Sequence, residues 1–322
     1  MSGLFVLGAC GSSPKVALDP GEAEPSTSEE HHQSPPIEPL DLPPLTGDEE
    51  LLRSYLEQEL KFYQELGEHS VENEWALADV GDHLAKEFRS LGYAIERQGF
   101  EFEGRPLQNL SVTVPGGQHG DEIVVLAVHY DSKLGSASGQ EHGADLASFL
   151  GVVRLMRRAN LKRTLQFVAL VPGEAPGRES EERGSRHFAE ALLAKTESEV
   201  IGTIHLQNFG CLSPPPGKLP LGTIGIRSEV FPGGEHLEQA IREEYAQLPF
   251  RLFEENVRIE ANLSSDPATF QQLGLPTLSL SGAGQSCLVD ADELARSVMA
   301  LRRVIGDISG ETFINDGMLT PH

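Results

Sequence analysis

Val124-Val125-Leu126-Ala127-Val128-His129-Tyr130-Asp131-Ser132 decides how this chain folds. An apolar run without alternation reads as a strand buried on both faces of a parallel sheet. Here the run ends abruptly in a histidine and a carboxylate two residues apart. Side chains at i and i+2 lie on one side of a strand. His129 and Asp131 are therefore expected to emerge together at the C-terminal edge, where open α/β sheets bind ligands.

Working outward, residues 93–102 alternate as a strand, and 109–114 form another that Pro115-Gly116-Gly117 ends. These two are expected as antiparallel edge strands leading into the central strand, 123–129. Upstream, Leu51, Leu52, Tyr55, Leu56, Leu60, Phe62 and Tyr63 recur at helical spacing from Asp48 on, and 75–91 reads as a second amphipathic helix stopped by Gly92. Downstream, a Gly/Ser loop is expected over 132–143, with Asp145 opening an apolar helix through Phe149, Leu150, Val153 and Met156. Strands follow at 165–171, 201–209, 221–226 and 277–280, and helices at 186–195, 234–247 and 290–305. Strands alternating with helices over this length predict one doubly wound α/β domain with a mainly parallel sheet.

Of the 322 residues, 25 are Lys or Arg and 49 are Asp or Glu, for a net charge of −24. Nucleic-acid phosphates and anionic membrane surfaces both require a basic face, so this balance argues against either as a partner. Residues 1–10 contain Leu4-Phe5-Val6-Leu7-Gly8-Ala9-Cys10, which resembles the end of a bacterial lipoprotein signal, short and without a preceding Lys or Arg. On that reading Cys10 is lipidated and the protein is exported to the cell envelope or periplasm, touching membrane only through its anchor. The alternative is a frayed apolar N-terminus. Residues 11–47, rich in Pro, Ser and Glu, lack the apolar surface to fold and read as a tether. His31-His32 falls in this tract and reads as solvated. The folded domain is expected over 48–309, with a polar tail at 310–322. An oxidising compartment would allow Cys211 and Cys287 to pair.

Strand ends are thus expected to bring His129, Asp131, Glu174, Gln207 and Asp266 to one edge, with Asp145 joining from the loop. A His/carboxylate cluster drawn from separate segments is what a metal site in a rigid scaffold requires.

From about residue 66 to 305 the chain resembles the bacterial zinc aminopeptidases that share a fold with glutaminyl cyclases. The resemblance rests on Val128-His129-Tyr130-Asp131-Ser132, Gly143-Ala144-Asp145, the 167–170 strand leading to Glu174, Gly184-Ser185, and Ser265-Asp266. Leu91-Gly92-Tyr93, Asn109-Leu110 and Gly274-Leu275-Pro276 extend it. It implies a three-layer α/β/α zinc exopeptidase fold, with a mostly parallel mixed sheet and antiparallel edge strands. It also implies two zinc ions sharing a carboxylate. His129 matches the first ligand, Asp145 the bridging carboxylate, Glu174 a ligand of the second zinc, and Asp131 the carboxylate that orients the histidine.

The chain departs from that pattern at several of these positions. Gly173 stands where the family places its general base, and glycine transfers no proton. Such catalysis typically contributes ~10²–10⁴-fold. Gln207 replaces a ligand carboxylate and is a weak, neutral donor. Leu146-Ala147 and Pro267 replace the family's Asp-Asn and His, and no histidine occurs between His236 and His322 to supply the last ligand. Neither zinc then reaches three protein ligands without Gln207 or a substitute. The substitutes are His142, His205 and Cys287, with Glu179, Glu181 or Glu182 as a base. The simpler readings are a loop histidine, a hydrogen-bonded interior histidine, a small buried hydrophobe and a charged loop face. The expected function is a pseudo-peptidase whose edge cleft binds a peptide or protein partner. The alternative is an active aminopeptidase with a remodelled, single-zinc site. The cyclase branch needs one zinc on Asp, Glu and His, and lacks the same histidine.

Overall fold

The computed structural model describes residues 43–136, 140–173, 183–212, 225–230, 232–246, 251–252, 265–282 and 289–312. Helix α1 (Gly47–Leu66) opens on a capping box: Thr46 Oγ accepts the Glu49 amide, and the Glu49 carboxylate accepts the Thr46 amide. Helix α2 (Glu74–Ser90) is capped by Asn73. Strands β1 (Glu96–Phe102) and β2 (Arg105–Val114) form a hairpin. Its two turn residues, Glu103 and Gly104, have φ of 51° and 77°, the primed geometry that matches the strands' twist.

Then come β3 (His119–His129), α3 (Gln140–Met156), β4 (Arg163–Leu170), α4 (Gly184–Leu193) and β5 (Glu199–Leu206). They are followed by β6 (Gly225–Val230), α5 (Glu235–Ala246), β7 (Arg251–Leu252), α6 (Asp266–Gln272), β8 (Thr277–Gly282) and α7 (Ala291–Ile308). The eight strands form one sheet in the order β1-β2-β4-β3-β5-β8-β6-β7. The β4-β3-β5-β8 core is parallel; β2 joins β4, and β6 joins β8, antiparallel.

The run that opened the sequence reading is β3, at the centre. Val124, Leu126 and Val128 pack with Leu52 and Leu56 of α1, Phe149 of α3 and Val298 of α7. Ile123, Val125 and Ala127 pack on the other face with Phe188 and Leu192 of α4 and Phe270 of α6. Helices on both faces of a mostly parallel sheet make the expected three-layer α/β/α fold, and burial on both sides explains why β3 shows no alternation.

Three expectations change. The hairpin does not lead directly into β3, because β4 lies between β2 and β3. Parallel crossovers give both edges of β3 to β4 and β5, leaving β2 only the outer edge of β4. Asp145 does not open α3: the helix starts at Gln140, five residues earlier than Asp145, and His142 belongs to it rather than to a loop. Asp266 is not a strand end; it begins α6 behind the Ser265 cap.

Candidate functional site

The exits of β3, β4 and β5 and the start of α3 meet at one edge. His129 is 6% exposed, Asp131 0% and Asp145 1%. Asp131 Oδ1 accepts the Gly173 amide at 2.6 Å, tying the exit of β4 to that of β3. Gly173 lies hard against the histidine. A Cβ there would fall 2.5 Å from both Cβ and Cγ of His129, closer than real side chains approach.

His129 Nε2 lies 3.2 Å from His142 Nδ1, with the rings at 65°. The separation suits either a hydrogen bond or two imidazoles sharing an ion. Burial pushes His142 down to about 3, helped by the imidazoles of His129 and His69. His69 is also lowered by burial, against the opposing pull of a hydrogen bond to the Gly67 carbonyl. Its Nε2 is buried without a hydrogen-bond partner. His69 is an additional member of this cluster. It comes from the loop after α1, held by a two-way bond with Ser132: its amide donates to Ser132 Oγ at 2.9 Å, and the Ser132 amide donates to its carbonyl at 3.2 Å. No spacing in the sequence signals that pairing.

His205 points from β5 toward the α4/α6 layer, its ring 4.7 Å from that of Phe270. Burial pushes it down to about 3, with His129 adding to the effect. Its Nε2 is buried without a hydrogen-bond partner.

The two oxygens of Asp145 accept the Asn208 and Phe209 amides at 2.8 and 2.6 Å. The carboxylate thus clamps the turn leaving β5. Gln207 Oε1 accepts from Ser279 Oγ at 3.3 Å. Asp266 pairs with Arg183 at 3.7 Å, both side chains buried. Cys211 is disulfide-bonded. Cys10, His31, His32, Glu174, Glu179, Glu181, Glu182 and Cys287 lie outside the described residues. Among the described residues, the group of three His, Cys, Asp or Glu ligand atoms within 4.8 Å of one another is Glu59, His83 and Glu87, between α1 and α2.

The family model of peptidase family M28 matches residues 109–297, more than half of the chain. The chain belongs to peptidase family M28. Solved structures with this fold include a Fimbriiglobus ruber glutaminyl cyclase, at 14% identity and TM-score 0.61, with 82% of this chain and 97% of that one covered. A Porphyromonas gingivalis glutaminyl cyclase follows at 15% and 0.60, covering 81% and 98%. The Legionella pneumophila LapA aminopeptidase follows at 13% and 0.58, covering 84% and 77%. A search of curated protein sequences found no match.

The M28 scaffold makes sense of two motifs outside the edge. Asn109 Nδ2 donates to the Gly184 carbonyl at 2.8 Å, and its Oδ1 accepts the Val171 amide at 3.2 Å. A Cβ on Gly184 would fall 2.1 Å from the Val171 carbonyl oxygen and 2.3 Å from Asn109 Oδ1. Asn109-Leu110 and Gly184-Ser185 are thus two halves of one buried joint linking β2, β4 and α4.

The donors described at the edge do not fit the two-zinc centre that the resemblance implies. Each oxygen of Asp145 already gives one of its lone pairs to the turn after β5. Gln207 is neutral, and no three described ligand atoms at this edge converge within 4.8 Å. What this edge does offer is the close pair His129–His142 with His69 nearby, two of these imidazoles, His142 and His69, being held toward the neutral form by burial.

Proposed function

We propose that this M28 member no longer hydrolyses peptides and acts by binding a peptide or protein partner at the C-terminal edge of its sheet. One observation carries the reading: the space a general base would need at position 173 is filled by the root of the His129 side chain. The position is closed as well as empty of an acid or base. A groove between α2 and β2, lined by Val71, Glu74, Leu77, Asp82 and Arg105, reaches Tyr130 beside this edge, and its mix of apolar and charged groups of both signs suits a peptide's backbone ends and side chains. The lipoprotein-like Leu4–Cys10 stretch supports export and anchoring at Cys10. Labelling with a radioactive fatty acid tests that part: label on the wild type and none on Cys10→Ser is expected.

The hydrolysis test is an aminoacyl-anilide assay on the full chain, with and without added Zn2+. No turnover is expected under either condition. Metal-dependent turnover abolished by Asp145→Ala would defeat the proposal.

A second reading, a single ion held by imidazoles, is favoured by the 3.2 Å His129–His142 approach and the unpartnered Nε2 of His69. A loss of one equivalent of zinc on His142→Ala supports it; the same zinc content in both proteins rejects it.

A further inference from the structure

Tyr55, Glu59 and Tyr63 recur every fourth residue on one face of α1, and His83 and Glu87 stand four apart on α2. Residues spaced by four share a helix face, so each helix offers a row of polar groups. The rows meet. His83 Nε2 is 2.7 Å from Glu59 Oε2, and Tyr55 Oη donates to Glu87 Oε2 at 3.3 Å. One ligand atom each from Glu59, His83 and Glu87 lies within 4.8 Å of the other two.

The site is enclosed: the Glu59 and His83 side chains are 6% and 13% exposed. The His83 ring is fixed by stacking on Phe62 at 3.9 Å and by the edge of Tyr63 at 5.8 Å. Tyr63 is fully buried and its hydroxyl has no hydrogen-bond partner. Burial first, then the carboxylates of Glu59 and Glu87, hold that phenol well above its ordinary pKa, so the hydroxyl lies in their field. A buried hydroxyl left unpaired, on a ring that packs T-shaped against the His83 imidazole, is unusual in a finished hydrogen-bond network. It is the group that an ion, or the water on an ion, would engage.

We propose that Glu59, His83 and Glu87 bind a divalent first-row transition metal, Zn2+ in the first instance, with the Tyr63 hydroxyl directed at the occupied site. One imidazole with two carboxylates is a borderline N/O donor set that suits such ions. Pairs of ligands on facing helices are a standard way to hold them. The site lies N-terminal to the 109–297 segment that defines the family. It uses none of the residues at the sheet edge, and it would fasten α1 to α2.

The test uses the full chain carrying His129→Ala and His142→Ala, so that the edge imidazoles do not contribute, titrated with Zn2+ alone. One equivalent is expected to bind and to raise the melting midpoint. Adding His83→Ala should abolish both effects. Glu87→Gln, a half-buried isostere that leaves the packing in place, should weaken binding if His83→Ala fails to fold. Tyr63→Phe removes only the hydroxyl and should weaken zinc roughly 10–100-fold, the usual effect of losing a supporting partner. X-ray absorption on the zinc-loaded protein should show one imidazole and an otherwise oxygen shell. No zinc bound, binding unchanged in Glu87→Gln, or a shell of several imidazoles each overturns the proposal.

Discussion

Gly173→Glu supplies the residue type that the family resemblance implies at this position, and on the reading proposed above it should not confer peptide hydrolysis. A Cβ at 173 meets His129 Cβ and Cγ at 2.5 Å, and Cδ2 at 3.0 Å. Rotation about χ1 does not move Cβ, so no rotamer change of His129 relieves the contact. Either the exit of β3 or the turn after β4 must shift. That shift also strains the 2.6 Å bond from the Gly173 amide to Asp131. Forcing extra carbon into a packed site typically costs about 1–3 kcal/mol. For domains of 150–250 residues each kcal/mol lowers the melting temperature by roughly 2–4 °C. Because the clash is at Cβ, Gly173→Ala should cost nearly as much as Gly173→Glu. Combining Gly173→Ala with His129→Gly, which removes both clashing atoms, should recover most of the loss relative to the sum of the single changes. Equilibrium urea unfolding of the four proteins measures this cycle, and aminoacyl-anilide hydrolysis runs beside it. If Gly173→Glu keeps wild-type stability and gains metal-dependent turnover, the histidine is not locked in place and the case for a closed site collapses.

Asp145→Asn should destabilise the fold by about 1–3 kcal/mol even with all metal chelated, because an amide nitrogen cannot accept one of the two loop amides that the carboxylate now satisfies. An effect seen only with metal present would instead make Asp145 purely a ligand. Asn109→Ala strands the Val171 amide in the interior and removes one bond to the Gly184 carbonyl, and urea midpoints should show a loss of about 1–3 kcal/mol. Acid should destabilise the protein early. His142 and His205 fall from 6.5 to about 3 on folding, so the unfolded chain binds more protons between those values. The stabilisation from keeping them neutral is complete above about pH 6.5 and is lost as pH falls toward 3, at up to about 1.4 kcal/mol per pH unit for each histidine. His205→Leu should remove one histidine's share of the slope between pH 6.5 and 5, and an unchanged slope would contradict the burial assigned to His205.

The parts of this molecule that were legible in its sequence are those set by local pattern. Residues 123–129 read as a doubly buried strand because burial on both faces removes alternation, and β3 has that burial on each side. Where pattern and tertiary context part, local sequence is a poor guide. The Gly/Ser-rich 132–143 stretch reads as a loop leading to Asp145, yet α3 already starts at Gln140. That shift places His142 and Asp145 three apart on one helix. His142 therefore reaches His129 while Asp145 reaches the turn after β5. Helix α6, seven residues long, is too short for periodicity to reveal. The site was legible as a set of residue types and illegible as a geometry. Asp131 and Asp145 are both acidic and both near the edge, as a metal centre demands, but each also accepts a backbone amide from a neighbouring strand exit. That structural use would hold these carboxylates in place even after hydrolysis had been lost. Residue identity at positions 129, 131 and 145 is therefore weak support for activity. Glycine at 173, with no side chain to hold and with His129 in its space, says more.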